Sequence, residues 1–401
     1  MQKKEKSLKE ILFNRQILLM GLISLFTDIS SEMLYPILPL YLESTGFSTT
    51  LIGLLEGLAE AVTSFSRGYF GYLSDLKGRR LPFIRLGYFL SNITRPMIGL
   101  VPNIYWIFVQ RLGDKLGKGI RTGARDALLA ESSPLKYRGS VFGFHRMMDT
   151  TGAILGPIVA LFLLNHVTQN YQTIFLVAFI PGVFSVIFSL FLKEKKNEEV
   201  MPVTPHLTII ERLSYWPKSS MEYKKISTLL FCYALIASSQ MFIILMLKLH
   251  GLSQSQILMS YIIFNIVYAL GAYPMGHLSD MFGKRKIFLF GLIMLSLVYT
   301  GLIFYNDETE LNLLMMILGL ASASTEGTGR AWISSIVDKQ DLAHALGSFS
   351  AISGIFALIG NVLIGVIWDF SSAHTAFKVL AMSAVILFIS TITLIYLPQK
   401  R

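Results

Sequence analysis

The chain has 401 residues, of which 53% are hydrophobic and 15% charged, and a formal net charge of +10. A soluble domain carries about a quarter charged residues, so this balance excludes an ordinary water-soluble fold and points to lipid. The positive charge does not signal nucleic acid, because the cations sit in short segments between apolar runs; a lone cysteine, Cys232, excludes an internal disulfide, and no Cys/His cluster has metal-ligand spacing.

Apolar stretches of roughly twenty residues recur along the whole length, each long enough to cross a hydrocarbon core about 30 Å thick. In lipid only helices and closed barrels satisfy every backbone group, and these runs are too long and too continuously apolar for barrel strands. The pattern predicts helices over 17–42, 50–72, 82–102, 104–126, 140–165 and 171–193, then over 226–249, 254–276, 286–305, 311–334, 343–367 and 374–397. The basic start, Met1 to Gln16, precedes a run that holds Asp28 and Glu32 and lacks a small-residue cleavage site, so it reads as a retained first helix and not a signal peptide.

Cations alternate with the spans. Lys3, Lys4, Lys6, Lys9 and Arg15 precede the first; Lys77, Arg79 and Arg80 follow the second; Lys136 and Arg138 follow the fourth. Residues 193–225, then Lys284 to Lys286, Lys339, and finally Lys400 and Arg401 continue the series. The intervening segments, Glu43 to Thr49, Pro102 and Asn103, Asn165 to Gln172, and Asn306 to Glu310, carry no Lys or Arg. Positive residues mark the cytoplasmic side, so both termini are expected there, and a shift of one helix would destroy the alternation. Residues 193–225, charged and holding Pro202, Pro205 and Pro217, read as a linker between six-helix bundles at 1–192 and 226–401. Within it, Leu207 to Tyr215 either lies on the membrane surface or is a solvated loop.

The halves repeat each other. Gly71-Tyr72-Leu73-Ser74-Asp75-Leu76-Lys77-Gly78-Arg79-Arg80 matches Gly276-His277-Leu278-Ser279-Asp280-Met281-Phe282-Gly283-Lys284-Arg285-Lys286 in register, and Gly46 matches Gly251. Ser30-Ser31-Glu32-Met33 likewise answers Ser238-Ser239-Gln240-Met241. Parallel six-helix repeats are one way transporters are built, with the site near the midplane. Both copies resemble the loop signature of the major facilitator superfamily, G-x-L-S-D-x-x-G-[RK]-[RK], between helices two and three and again between eight and nine. The resemblance implies an all-α integral membrane protein of twelve transmembrane helices in two pseudo-symmetric six-helix bundles. In the first copy Leu76 stands where the family often has a cation.

Physically such a loop suits a gate. Gly71, Gly78, Gly276 and Gly283 permit close packing and turns, while Asp75, Arg79, Asp280 and Arg285 supply charge; Asp75 is expected to pair with Arg121 or Arg125 at the end of the fourth span. In the fifth span Gly143, Gly152, Gly156 and Pro157 follow G-x8-G-x3-G-P, with Ala160 where Gly is common, resembling the motif of the superfamily's antiporters. Small residues let helices approach closely.

The fourth span holds Arg111, Asp114, Lys115, Lys118, Arg121, Arg125 and Asp126, all within an arc of about 140° at 100° per residue. Charges inside a membrane almost always face a cavity or a partner. The superfamily often has an Arg followed by Gln-Gly in this helix, implicated in proton coupling; Arg111 fits the Arg, while Asp114 and Lys115 replace the pair. Asp28 and Glu32 lie one turn apart on the first span and Glu56 and Glu60 on the second, with Glu56 near the outer end of its helix; the fifth adds His145, Arg146 and Asp149, and the tenth Glu326 and Arg330. Burial raises a carboxylate's proton affinity and a nearby cation lowers it, so rearrangement can switch protonation. The proton-coupling candidates are therefore Asp28, Glu32, Glu60, Asp114 and Asp149. Substrate contacts fall to Arg111, Lys115, Lys118 and Arg146, with Gln240, Asn265, Glu326 and Arg330 from the second half, and Glu326 with Arg330 reads equally as an intrahelical pair. Tyr35, Tyr268 and Trp332 line a cavity or simply pack, and Arg95, before Pro96, serves packing or gating.

These features fit a proton-coupled antiporter that exports a small organic anion such as a carboxylate-bearing metabolite, drug or siderophore. The alternatives are a proton symporter importing an organic anion and a transporter-like receptor, for which a long signalling tail is expected but not seen. No Ser/His/Asp set or phosphate-cradling loop stands out, so the chain is not expected to be an enzyme or to need a cofactor, and an ion gradient must supply the energy. The expected partners are the substrate, protons and the bilayer of a plasma membrane, a bacterial inner membrane by its compactness, with the chain as a monomer.

Overall fold

The computed structural model describes residues 8–194, 215–338 and 341–396. Lys3, Lys4, Lys6, Pro202, Pro205, the segment 207–214, Lys339, Lys400 and Arg401 lie outside the described residues. Among those described, every regular element is helical. After a short helix, Leu8–Leu12, come α1 (Arg15–Leu34, continued by Leu38–Ser44), α2 (Thr49–Leu76), α3 (Leu81–Met97), α4 (Ile104–Glu131), α5 (Arg138–His166) and α6 (Tyr171–Val177 with Phe179–Leu190). A single turn, Tyr215–Lys218, then leads into α7 (Met221–Ile236 with Gln240–Leu249), α8 (Gln254–Phe282), α9 (Lys284–Phe304), α10 (Glu308–Ser335), α11 (Leu342–Phe370) and α12 (Ala373–Tyr396). The protein is thus an all-α membrane protein with the twelve helices its sequence predicts.

Local chemistry sets the ends. Asn14 and Asn103 cap α1 and α4 by accepting from backbone amides of their first turns, and Ser253 with Gln256 forms a capping box on α8. α1 breaks where Pro36 offers no amide hydrogen. α7 breaks at Ala237–Ser239, where Ser239 Oγ restarts the helix by accepting from Met241 N and its own amide donates to Asn361 Oδ1 at 2.8 Å. Several helices run beyond their apolar stretches: α2 continues to Leu76 and α4 to Glu131, carrying charged residues out with them. Eight rods are long and apolar enough to cross a membrane on length and composition alone; α2, α3, α4 and α10 are not among them, being shorter or more charged.

The chain forms two compact units. The first holds Met1–Ile37 and Val62–Pro205; the second holds Leu38–Ala61 and His206–Arg401. In the first, α5 lies along α1. A side-chain carbon at Gly152 would sit 2.5 Å from Leu25 O, and one at Gly156 2.8 Å from Ile29 O, so these glycines let the two backbones touch. Gly71 meets Gly123 of α4 in the same manner, and Gly87 of α3 packs on Gly117 of α4. Glu194 closes the start of α3 by accepting from the amides of Arg80 and Leu81.

In the second unit the opening residues of α2 pack on α11, with Gly57 against Leu358, and Asp369 accepts from Thr49 N, Thr49 Oγ1 and Thr50 N at 2.6–3.0 Å. Glu43 and Lys248, which are 205 positions apart and so equivalent in the repeat, pair with each other at 2.8 Å. The repeat also governs the backbone. Among the described residues, positive φ occurs at Gly46 and Gly251, both at 86°, and at Gly78 and Gly283, at 58° and 95°, each pair again 205 apart.

Two sequence expectations about glycine need correction. Nothing lies within 4 Å of a side-chain carbon built on Gly143 or on Gly276, so neither mediates close packing. Gly143 stands nine residues before Gly152, about 180° around the helix, and faces away from α1.

This contrast is testable. Gly156→Ala must push α1 and α5 apart and should cost about 1–3 kcal/mol, whereas Gly143→Ala meets no neighbour and should leave stability unchanged or raise it by up to about 1 kcal/mol through helix propensity. Thermal unfolding of the two variants in detergent micelles separates these outcomes, and equal shifts would refute the α1–α5 contact.

Candidate functional site

Arg111, Asp114 and Arg121 of the charged α4 stripe are buried inside the first unit, Lys115 is half-buried and Lys118 is exposed. Arg111, Asp114, Lys115, Lys118 and Arg121 line a pocket together with Asp28, Ser31, Glu32 and Tyr35 of α1 and Arg95 of α3. Its free volume is about 30 Å³, room for one or two waters or the charged end of a larger molecule. Five cationic and three carboxylate side chains face it, an excess of two positive charges.

Asp114 organises this pocket. It is 5% exposed and accepts from Arg95 Nε at 2.9 Å, with Arg111 Nη1 at 3.6 Å from its other oxygen. Arg95, 3% exposed, also donates to Thr27 O of α1 at 3.0 Å, so one carboxylate and one guanidinium join α1, α3 and α4. The Arg111 guanidinium stands 5.7 Å over the Tyr35 ring, a cation–π contact. Arg121 donates to Ser91 Oγ at 2.6 Å and stands 4.6 Å over Tyr88. Ser91 Oγ in turn donates to Asp114 O.

Below the pocket the α1–α5 seam brings two carboxyls together. Asp149 Oδ1 accepts from Ser24 Oγ at 2.6 Å, and Arg146 lies 3.3 Å from Oδ2. Asp28 and Asp149 are neighbours across the seam. Two carboxylates only accept, so they bond each other only when one of them carries a proton. Gly152 places Asp28 here, since its missing side chain would sit 2.9 Å from Asp28 Cβ.

The loop signature pairs differently from expectation. Asp75 bonds Arg80, not Arg121 or Arg125, and Arg80 also reaches Glu131 at 3.1 Å and Ser74 Oγ at 2.9 Å. Burial opposes the charge of Arg80, but Asp75 and then Glu131 outweigh it and hold its pKa above the usual arginine value. Arg121 is held in the pocket, and Arg125 bonds its neighbour Asp126 at 2.8 Å. Arg79 is exposed. In the second copy Asp280 lies 3.8 Å from Lys284, one turn beyond it, and Arg285 is half-buried.

The remaining candidates belong to the second unit. Glu60 is exposed, while Glu56, near the outer end of α2, is buried. Glu326 accepts from Tyr268 Oη at 2.8 Å, and both Glu326 and Arg330 are exposed. Asn265 is buried, with its Nδ2 lacking a hydrogen-bond partner. Gln240 begins the second half of α7. Around them Phe264 stacks on Tyr268, and Phe288 lies edge-on to Trp332 and Tyr233. The described residues contain no group of three or more His, Cys, Asp or Glu arranged to hold a metal.

Sequence reasoning gave Arg95 only a packing or gating role, yet it is the buried partner of Asp114. An arginine inside an apolar span was the available signal. Ser24 and Tyr88, which hold Asp149 and Arg121, carried no signal of their own, because a serine or tyrosine in a span is most often packing.

Comparison with known proteins now bears on this arrangement. The family model described as Major Facilitator Superfamily matches residues 20–220 and 226–401. An MFS-type transporter of Methanocaldococcus jannaschii is 31% identical over 381 residues, covering 94% of this chain and 93% of that protein. The multidrug resistance protein MdtG of Klebsiella pneumoniae is 25% identical over 90% of this chain and 88% of its own length. Among solved structures, the nucleoside transporter NupG superposes with a TM-score of 0.80 at 16% identity, covering 94% of this chain and 99% of that one, a likeness of fold. Twelve helices, a repeated loop signature and a matching model over nearly the whole chain make this protein a member of the major facilitator superfamily of membrane transporters.

Proposed function

We propose that this transporter is a proton-coupled antiporter that exports small organic anions. The observation that carries the reading is the pocket of the first unit, whose lining holds an excess of two cations together with Asp28, the neighbour of Asp149 across the α1–α5 seam. Lys115, Lys118 and Arg111 bind the anionic end of the substrate, and the carboxyl pair carries the exchanged proton. Export is supported by the likeness to the multidrug resistance protein MdtG and by the glycine seam of α5. The alternating cations support termini on the cytoplasmic side, and in this reading the protein is a monomeric transporter, not an enzyme, of a bacterial inner membrane. The loops at Gly71–Arg80 and Gly276–Lys286 gate the inner face.

A second reading, import by symport, is favoured by one feature: Asp28 and Glu32 line the same pocket as the cations. Protonating either makes the pocket more positive and strengthens anion binding, so that proton and anion load together.

Transport by purified protein in liposomes, with a pH dye inside and a panel of aromatic and aliphatic carboxylates and sulfonates outside, tests the proposal. Lys118→Ala should weaken the best substrate by about 2 kcal/mol, roughly thirtyfold in Kd, while Asp149→Asn should leave substrate exchange intact and abolish proton movement. Movement of substrate without protons in wild type would overturn proton coupling. Binding of a sulfonate, whose charge is constant, should weaken as pH falls if the two compete, as antiport requires; strengthening on acidification would establish symport instead. Asp114 is unsuitable for such tests, because Asp114→Asn leaves Arg95 and Arg111 without a counter-charge and should cost about 3–5 kcal/mol of stability, visible as a lowered Tm.

A further inference from the structure

His145 is a buried imidazole outside the pocket, 6% exposed, and its Nε2 has no hydrogen-bond partner. Leaving a buried polar nitrogen unpaired costs about 1–3 kcal/mol, and such groups call for a reason of function. Its position supplies one. Residues 145, 149, 152 and 156 fall within about 60° of one another on α5, a single stripe. The upper two members, Gly156 and Gly152, rest on α1 at Ile29–Met33 and Leu25–Ile29. One turn further Asp149 meets Ser24. His145 lies a further turn along, about 6 Å by helix rise, level with Gly21, whose missing side chain would touch Phe144 and Met148. Titratable groups therefore follow one another down the seam from the pocket: Glu32, then Asp28 with Asp149, then His145, each step about one helical turn, a gap that a single water bridges.

We propose that His145 is a proton relay on the α1–α5 seam, passing the proton of the Asp28–Asp149 pair to and from the Arg138 end of α5. The inference rests on the proton-carrying role assigned above to that pair. The lone pair on Nε2 accepts the shared proton, leaving two carboxylates beside an imidazolium; loss of one proton toward the Arg138 end restores the neutral ring, so one proton moves and nothing else changes. The charged groups facing the ring are Arg125 and Asp126 of α4 and Arg146 and Asp149 of α5, while α1 offers Gly21 and Ser24 at this level. Because His145 does not line the pocket, its replacement should spare ligand contacts.

Infrared difference spectroscopy of the full-length protein in lipid after a rapid pH drop tests this without any ligand, through the C=O stretch of the protonated carboxyl pair. Asp28→Asn and Asp149→Asn should each remove the shared-proton band. His145→Gln and His145→Asn, two replacements of different length that guard against a packing artefact, should keep its final amplitude but slow its appearance on the order of 100-fold, the lower end of what a positioned acid–base group supplies. A band that rises as fast in both variants as in wild type overturns the relay alone. A wild type with no band sensitive to Asp28 or Asp149 overturns the shared proton and, with it, the coupling assignment on which the relay rests.

Discussion

A single carboxylate, Asp114, fixes the arrangement of the first unit. An ionised group in the interior of a membrane protein is tolerated only with partners, and Asp114 has Arg95 from α3 and Arg111 from its own helix. Arg95 in turn holds the backbone of α1 through Thr27 O. Three helices thus converge on one ion pair, and the position of every other pocket residue on α4 follows from helix geometry, since Lys115, Lys118 and Arg121 turn toward the same side. Asp114 is therefore a poor place to look for a mobile proton. Two guanidiniums engage it in that structural task.

The α1–α5 seam complements this ion pair by supplying closeness instead of charge. Gly152 and Gly156 remove the side chains that would hold α1 away, and the residues brought together are those carrying protonatable groups. Had the seam been lined with alanines, Asp28 and Asp149 would stand further apart and each would need its own counter-charge. Backbone contact brings the two carboxyls to the same stretch of the seam. The glycine motif of α5 thereby has a direct electrostatic effect, beyond packing.

The twelve rods and their repeat were legible in the sequence because both depend on patterns local in the chain: apolar runs of fixed length and glycines at matched turns. Gly46, Gly78, Gly251 and Gly283 all adopt positive φ, as their registered positions implied. The α4 stripe was equally legible, since a helix converts spacing into a face. Partner choice was not. Asp75 selected Arg80, five residues away across a tight turn, because Ser91 and Tyr88 had already engaged Arg121 and Asp126 had engaged Arg125. Those competing contacts come from α3 and from side-chain reach, neither of which periodicity records. Gly143 shows a different failure: the information was present, as nine residues at 100° place it opposite Gly152, but the motif's linear spacing concealed the phase.

The repeat also separates scaffold from chemistry. α4 and α10 each have 28 residues, and α5 and α11 each have 29. Yet Ile107 to Arg121 of α4 holds five charged residues, while the stretch of α10 that the 205-residue repeat matches to it, Asn312 to Glu326, holds one, the exposed Glu326. Turn glycines, whose conformation any six-helix bundle of this design requires, are kept in both copies; buried charges, which burden each helix that carries them, are concentrated in one. The second unit answers with hydrogen-bonding and aromatic groups, Asn265, Tyr268 and Trp332 among them. The repeat thus preserves the turns that shape each bundle while the chemistry its helices carry diverges.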